Sequence, residues 1–197
     1  MPVRLRLIMI AVLAVAFVVV VGLQQAGEDD GGARSAEPPT SMTQAEVRAP
    51  LEGQPPKLAA LHARSGELVT GGLEQFDREL RALRGTPVVV NIWASWCAPC
   101  RYEIPFIQRQ FREHGTKVAF LGVNSDDAAG NAAKTARELP MPYPSVVDNR
   151  ANLLGRLGAR GLPVTVFYDA DGKQVYVHQG QYRTVEQLSE DIEQYAL

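Results

Sequence analysis

The stretch Val88-Val89-Val90-Asn91-Ile92-Trp93-Ala94-Ser95-Trp96-Cys97-Ala98-Pro99-Cys100 decides the fold. Its first six residues are dominated by β-branched and aromatic side chains with no charge, the pattern of a strand buried on both faces. After the motif, Ile104, Ile107 and Phe111 recur at helical spacing, so Pro105–His114 is read as helix. The two cysteines therefore sit at a strand-to-helix junction, with Cys97 at the helix N-terminus. Unpaired N–H groups and the helix dipole there favour an anion. The Cys97 thiolate is stabilised and becomes the nucleophile near neutral pH. Cys100, one turn on, can attack a mixed disulfide and release the partner. Cys97 is expected to be the exposed thiol and Cys100 the buried one.

Other readings of the pair fit less well. A purely structural bridge over so short a loop adds little stability. A metal site needs further ligands, and His62, His114 and His178 are scattered along the chain. Neither Ala98 nor Pro99 brings a charge between the sulfurs.

Working outward, Glu67–Thr70, Lys117–Val123, Ser145–Val147, Val164–Tyr168 and Gln174–His178 read as strands. Lys57–Arg64 also reads as a short strand. Leu73–Leu83, Asn131–Leu139, Ala151–Leu157 and Thr184–Tyr195 read as helices, the last capped by Thr184. Asp171-Gly172 marks a tight hairpin turn. This order implies an α/β fold with a central mixed sheet, mostly parallel with an antiparallel edge, and helices on both faces.

The beginning of the chain has a different character. Arg4 and Arg6 precede an uncharged apolar run from Leu7 to Leu23. As a helix it would be roughly 26 Å long, at the short end for a hydrocarbon core of about 30 Å. Residues 1–26 are read as a single-pass anchor. The arginines stay cytoplasmic and the remainder is extracytoplasmic. Cleavage of the segment as a signal and secretion of the remainder is the alternative. Residues 27–56, rich in Gly, Pro and acidic residues, read as a flexible tether. Residues 57–197 are the expected domain, able to fold without the anchor when cut near residue 50.

Composition sets the outer bounds. The 197 residues are 46% hydrophobic and 21% charged, which excludes a wholly disordered chain. A net charge of −2 argues against a nucleic-acid partner. Two cysteines are too few for a multi-bridge scaffold or a cysteine zinc site.

Three stretches carry a family resemblance: Asn91 to Pro105, Gly161-Leu162-Pro163-Val164-Thr165-Val166-Phe167, and Tyr143-Pro144-Ser145-Val146-Val147-Asp148. Through them residues 57–197 resemble membrane-anchored thioredoxin-fold oxidoreductases of the TlpA/ResA type. The resemblance implies a thioredoxin-like fold and thiol–disulfide exchange with protein substrates, without metal or cofactor. It makes Pro163 a cis-proline facing the cysteines. It marks Trp96, Leu162 and Pro163 as the substrate-binding positions. It also favours the reducing direction, as in relatives that keep apocytochrome c haem-site thiols reduced, with re-reduction by a membrane electron donor.

Two positions refine that resemblance. Cytoplasmic thioredoxins carry a buried aspartate where this chain has Asn91. The TlpA/ResA type often takes its acid–base carboxylate from the position of Glu103, three residues after the second cysteine. The runner-up function, a disulfide-forming oxidant, lacks its usual helical insertion, because only about twenty residues separate Asn124 from Ser145. Copper-delivery proteins of this fold place three residues between their cysteines. The peroxide reductases have a Pro and Thr that are absent before Cys97.

Overall fold

The computed structural model describes residues 40–197. The expected anchor and the first part of the expected tether lie outside the described residues. Among those described, no helix is long and apolar enough to cross a membrane.

The folded unit starts earlier than residue 57. Helix α1 (Gln44–Arg48) opens on a capping box, in which Thr43 and Glu46 satisfy each other's backbone N–H groups. Val47 is fully buried, and its carbonyl meets His62 Nε2 at 2.7 Å. The Met42 N–H donates to Gln108 Oε1 at 2.8 Å, and Gln108 Nε2 donates to the Pro140 carbonyl at 2.6 Å. Residues 41–56 therefore belong to the domain rather than to a tether. A cut near residue 50 would remove Val47 from the core.

Lys57–Arg64, expected as a strand, lies mostly in helix α2 (Pro56–His62). Pro56 occupies its first turn, where its fixed φ suits a helix and its missing N–H costs nothing. Leu58 and Leu61, three apart, bury one face. The first strand is correspondingly short, β1 (Leu68–Val69), and helix α3 (Gly72–Ala82) follows it.

Strand β2 (Val88–Trp93) is buried along its whole length. It pairs in parallel with β3 (Ala119–Ser125) and antiparallel with β5 (Val164–Tyr168). With β4 (Ser145–Asp148) and β6 (Gln174–Gln179), the sheet order is β1-β4-β3-β2-β5-β6. Only β5 runs against the rest, so its pairings with β2 and with β6 are both antiparallel, as expected for a mostly parallel sheet with an antiparallel edge.

Alternate residues of β2 feed two cores. Val89 and Trp93 face a cluster built with helix α4 (Ala98–His114) and helix α7 (Val185–Tyr195). Val88, Val90 and Ile92 face a cluster built with α3 and helix α6 (Asn152–Arg156). Helix α5 (Ala129–Glu138) fills the connection between β3 and β4.

The helix expected from Pro105 begins seven residues earlier, at Ala98. Pro105 is therefore internal, and the Arg101 carbonyl loses its usual helical donor. This longer helix sets both cysteines and Glu103 on one rigid element.

Candidate active site

The site lies where β2 ends and α4 begins. Cys97 is the N-cap of α4, and its Sγ accepts from the Cys100 N–H at 3.2 Å. The two cysteines are joined as a disulfide. The expected contrast in exposure is absent from this oxidised pair, since Cys97 is 4% exposed and Cys100 1%. The exposed feature is the neighbouring Trp96, at 62%. Hydrogen bonds hold the turn that carries it. Asp127 accepts from the Ser95 N–H at 2.6 Å and from its hydroxyl at 2.5 Å. The Trp96 indole N–H donates to the Asp126 carbonyl at 2.8 Å. Asp126 reaches that position with a left-handed φ of 48°.

Leu162–Pro163 is a cis peptide bond. Val164, the next residue, pairs with Ile92. Pro163 therefore lies at the end of the sheet where β2 passes into the cysteine motif. Leu162 is half-buried and packs against both cores. Trp96, Leu162 and Pro163 are thus at the same end of the sheet as the disulfide.

Glu103 lies on the same face of α4 as Cys100, one turn away. It is wholly buried. Asn91 Nδ2 donates to its Oε1 at 3.0 Å, and the Tyr182 N–H donates to its Oε2 at 3.2 Å. The Tyr143 hydroxyl donates in turn to Asn91 Oδ1 at 3.0 Å. Burial pushes the Glu103 carboxyl up to about 8, against the smaller lowering effects of Tyr182 and Asn91. Burial, with the nearby Glu103 charge, also pushes the Tyr143 phenol up. The two positions that the sequence treats separately, Asn91 and Glu103, are direct partners. Sequence reasoning misses Tyr143 and Tyr182. Tyr143 could have been noticed within its matching stretch. The role of Tyr182 is made by its backbone, which leaves no signal in residue type.

The Redoxin family model matches residues 60–192. The chain belongs to the Redoxin family. This redoxin is 30% identical over 125 residues to the thiol-disulfide oxidoreductase ResA of Halalkalibacterium halodurans, covering 60% of this chain and 70% of that protein. It is 41% identical over 91 residues to the thiol:disulfide interchange protein DsbE of Pseudomonas fluorescens biotype C, covering 46% and 49%. Among solved structures, it resembles a DsbF homologue from Corynebacterium diphtheriae with a TM-score of 0.53 at 28% identity. That match covers 58% of this chain and 75% of the other. The exposed lipoprotein thioredoxin Etrx1 of Streptococcus pneumoniae matches with a TM-score of 0.52 at 26% identity, covering 58% and 89%. This redoxin is a thiol–disulfide oxidoreductase of the TlpA/ResA type with a thioredoxin-like fold.

Proposed function

We propose that this redoxin is an extracytoplasmic reductant of protein disulfides, anchored by residues 1–26, with apocytochrome c among its substrates. The observation that carries the direction of electron flow is Glu103, a buried carboxyl whose hydrogen-bond partners are an amide and a backbone N–H, neither of them cationic. An oxidising pair needs a stabilised thiolate, as the strong oxidants of this chemistry have. A buried acid beside Cys100 on its helix works against a second negative charge there. The reduced pair is then less stabilised, and its electrons pass on more readily. The Leu7–Leu23 run behind Arg4 and Arg6 supports the location. The names of the ResA and DsbE relatives support a protein thiol or disulfide substrate.

The cycle balances as a two-electron exchange. The Cys97 thiolate attacks one sulfur of the substrate disulfide, that bond breaks, and the other substrate sulfur leaves as thiolate. Cys100 gives its proton to ionised Glu103 and attacks the Cys97 sulfur of the mixed disulfide. The second substrate sulfur leaves, and the Cys97–Cys100 disulfide forms. A membrane dithiol donor then returns two electrons and two protons. Trp96, with the Leu162–Pro163 backbone, holds the extended substrate segment beside the sulfurs.

Three measurements test this reading. The redox potential of the pair should lie nearer the thioredoxin value of about −270 mV than the strongly oxidising value of about −120 mV. The Cys100→Ala variant should accumulate mixed disulfides on Cys97, with apocytochrome c among the captured proteins. After mild reduction, a membrane-impermeant maleimide should label Cys97 in intact cells. A potential at the oxidising end would reverse the direction of flow, and labelling only after lysis would place the domain on the other side of the membrane.

A further inference from the structure

Glu103 has no exposed surface, yet the reaction proposed above requires it to take and release a proton each cycle. Its two hydrogen-bond partners differ in how easily they can withdraw. Asn91 is in the middle of the central strand, paired on both sides. Tyr182 lies in the connection between β6 and α7, residues 180–184. That strap lies outside the strands of the sheet.

The strap is fastened from outside. The Tyr182 hydroxyl donates to Asp191 Oδ2 on α7 at 2.6 Å. His178 Nδ1, on β6, is 3.2 Å from the same oxygen. The imidazole stacks on the Tyr182 ring with centroids 3.9 Å apart and planes 15° from parallel. One carboxylate therefore holds both aromatic rings, and the backbone of one of them covers Glu103. The strap also reaches the other side of the site, where the Gly180 N–H donates to the Pro163 carbonyl at 3.0 Å. Gly180 has a φ of 92°, which suits glycine at this turn. Outside the fastening is an open cavity of about 380 Å³, lined by His178, Tyr182, Asp191, Gln181, Arg183 and Glu190.

We propose that the strap is a latched cap, with Asp191 as the latch that holds Tyr182 and His178, and that the latch controls the exchange of the Glu103 proton with solvent. Asp191 and Tyr182 are positioning residues: they act through the Tyr182 backbone N–H that covers Glu103. The inference rests on the role of Glu103 proposed above.

The groups around Glu103 set the sign of the effect. On its own helix are Cys97 and Cys100. From the segment before β4, on the same face of β2, comes the Tyr143 phenol, through Asn91. From the strap comes the Tyr182 phenol, with Asp191 and His178 behind it and Arg183 and Glu190 at the cavity rim. Releasing the latch has two opposed effects on Glu103. Water reaches the carboxyl, which lowers its pKa, and the Tyr182 N–H withdraws, which raises it. Burial is the larger influence on this group. Release therefore moves Glu103 down toward an ordinary carboxyl.

The test uses the purified full chain in its reduced state. The protonated Glu103 carboxyl band is isolated as the infrared difference between each protein and the same protein carrying Glu103→Gln. Its titration midpoint should fall by on the order of one unit in Asp191→Ala and by less in Tyr182→Phe, as expected for partial loss of burial. Asp191→Asn keeps an acceptor for the Tyr182 hydroxyl and should retain most of the original midpoint. A purely structural role for Asp191 predicts lower thermal stability with an unmoved midpoint, and that result in a folded Asp191→Ala protein overturns the latch. If Asp191→Ala does not fold, Tyr182→Phe decides by the same criterion. The base assignment fails separately. If Glu103→Gln leaves the pH profile of mixed-disulfide resolution unchanged, Glu103 takes no part in catalysis, wherever the latch sets its midpoint.

Discussion

Glu79 and Glu103 are both buried carboxyls on amphipathic helices, but they have different company. Glu79 is 7% exposed and receives both terminal nitrogens of Arg64 at 2.9 Å, with Gln75 adding a third donor at 2.6 Å. This pairing pushes the Arg64 guanidinium further up. Glu103 is more deeply buried and has only neutral donors. A forked cation makes a buried carboxylate part of the scaffold, with its charge matched in place. Neutral donors leave the carboxyl poised between two protonation states. The difference separates a group that holds the fold from one that can move a proton.

The largest expected effect is on rate. Glu103→Gln keeps the shape and the Asn91 contact but cannot accept a proton. Resolution of mixed disulfides should slow by about 10²–10⁴, the usual contribution of a positioned base. Stopped-flow reduction of a small disulfide checks it. The first attack by Cys97 should be nearly unchanged.

The next effect is on stability against pH. The Glu103 carboxyl is raised in the folded state from 4.5 to about 8. Between those values the unfolded chain has already released the proton that the folded chain retains. Stability from the neutral form is complete below about 4.5, falls as pH rises, and is fully lost once pH passes about 8. The total change is on the order of 5 kcal/mol. Urea unfolding of the disulfide-bonded chain at several pH values should show this decline, and Glu103→Gln should flatten it.

Removing the cation from the other carboxyl tests the scaffold side of the contrast. Arg64→Ala should destabilise by about 2 kcal/mol, below the figure for a fully buried pair because the Arg64 side chain is about a third exposed. Disulfide exchange should be unaffected. A loss of exchange without a loss of stability would reverse the roles assigned to the two carboxyls. The smallest effect belongs to a solvated pair. Lys134 and Glu138 are 3.8 Å apart on the surface of α5, and Lys134→Ala should change stability by less than about 0.5 kcal/mol.

Local chemistry made much of this legible in the sequence. The β-branched run marks the central strand, and the cysteine spacing marks the redox pair. Resemblance supplied cis-Pro163 and drew attention to Glu103. Lys57–Arg64 reads as a strand because short apolar runs suit either period, yet most of it is helix. The leading Pro56 and the Leu58/Leu61 spacing were the evidence for a helix. The tether boundary was set by composition, which obscured the Thr43–Glu46 capping box. The segment around Val47 is held by distant partners: His62 meets the Val47 carbonyl and Gln108 accepts from the Met42 N–H. The Asn91–Glu103 bond crosses from strand to helix, and the Tyr182 N–H reaches Glu103 from 79 residues away. Neither leaves a local pattern, because the contacts exist only once the sheet and α4 have packed.

Gln108 has a mechanical consequence. It grips the chain at residues 41 and 42 from a position eleven residues beyond Cys97, almost all of that span in α4. At 1.5 Å per residue, the grip and the disulfide are about 16 Å apart along one stiff rod. The leading chain therefore joins the domain at a fulcrum, with the sulfurs at the far end of a lever. With residues 1–26 anchored as proposed, shortening or lengthening the residues before 41 would change where that far end can travel, while the arrangement of cysteines, Trp96 and Glu103 travels with it unchanged.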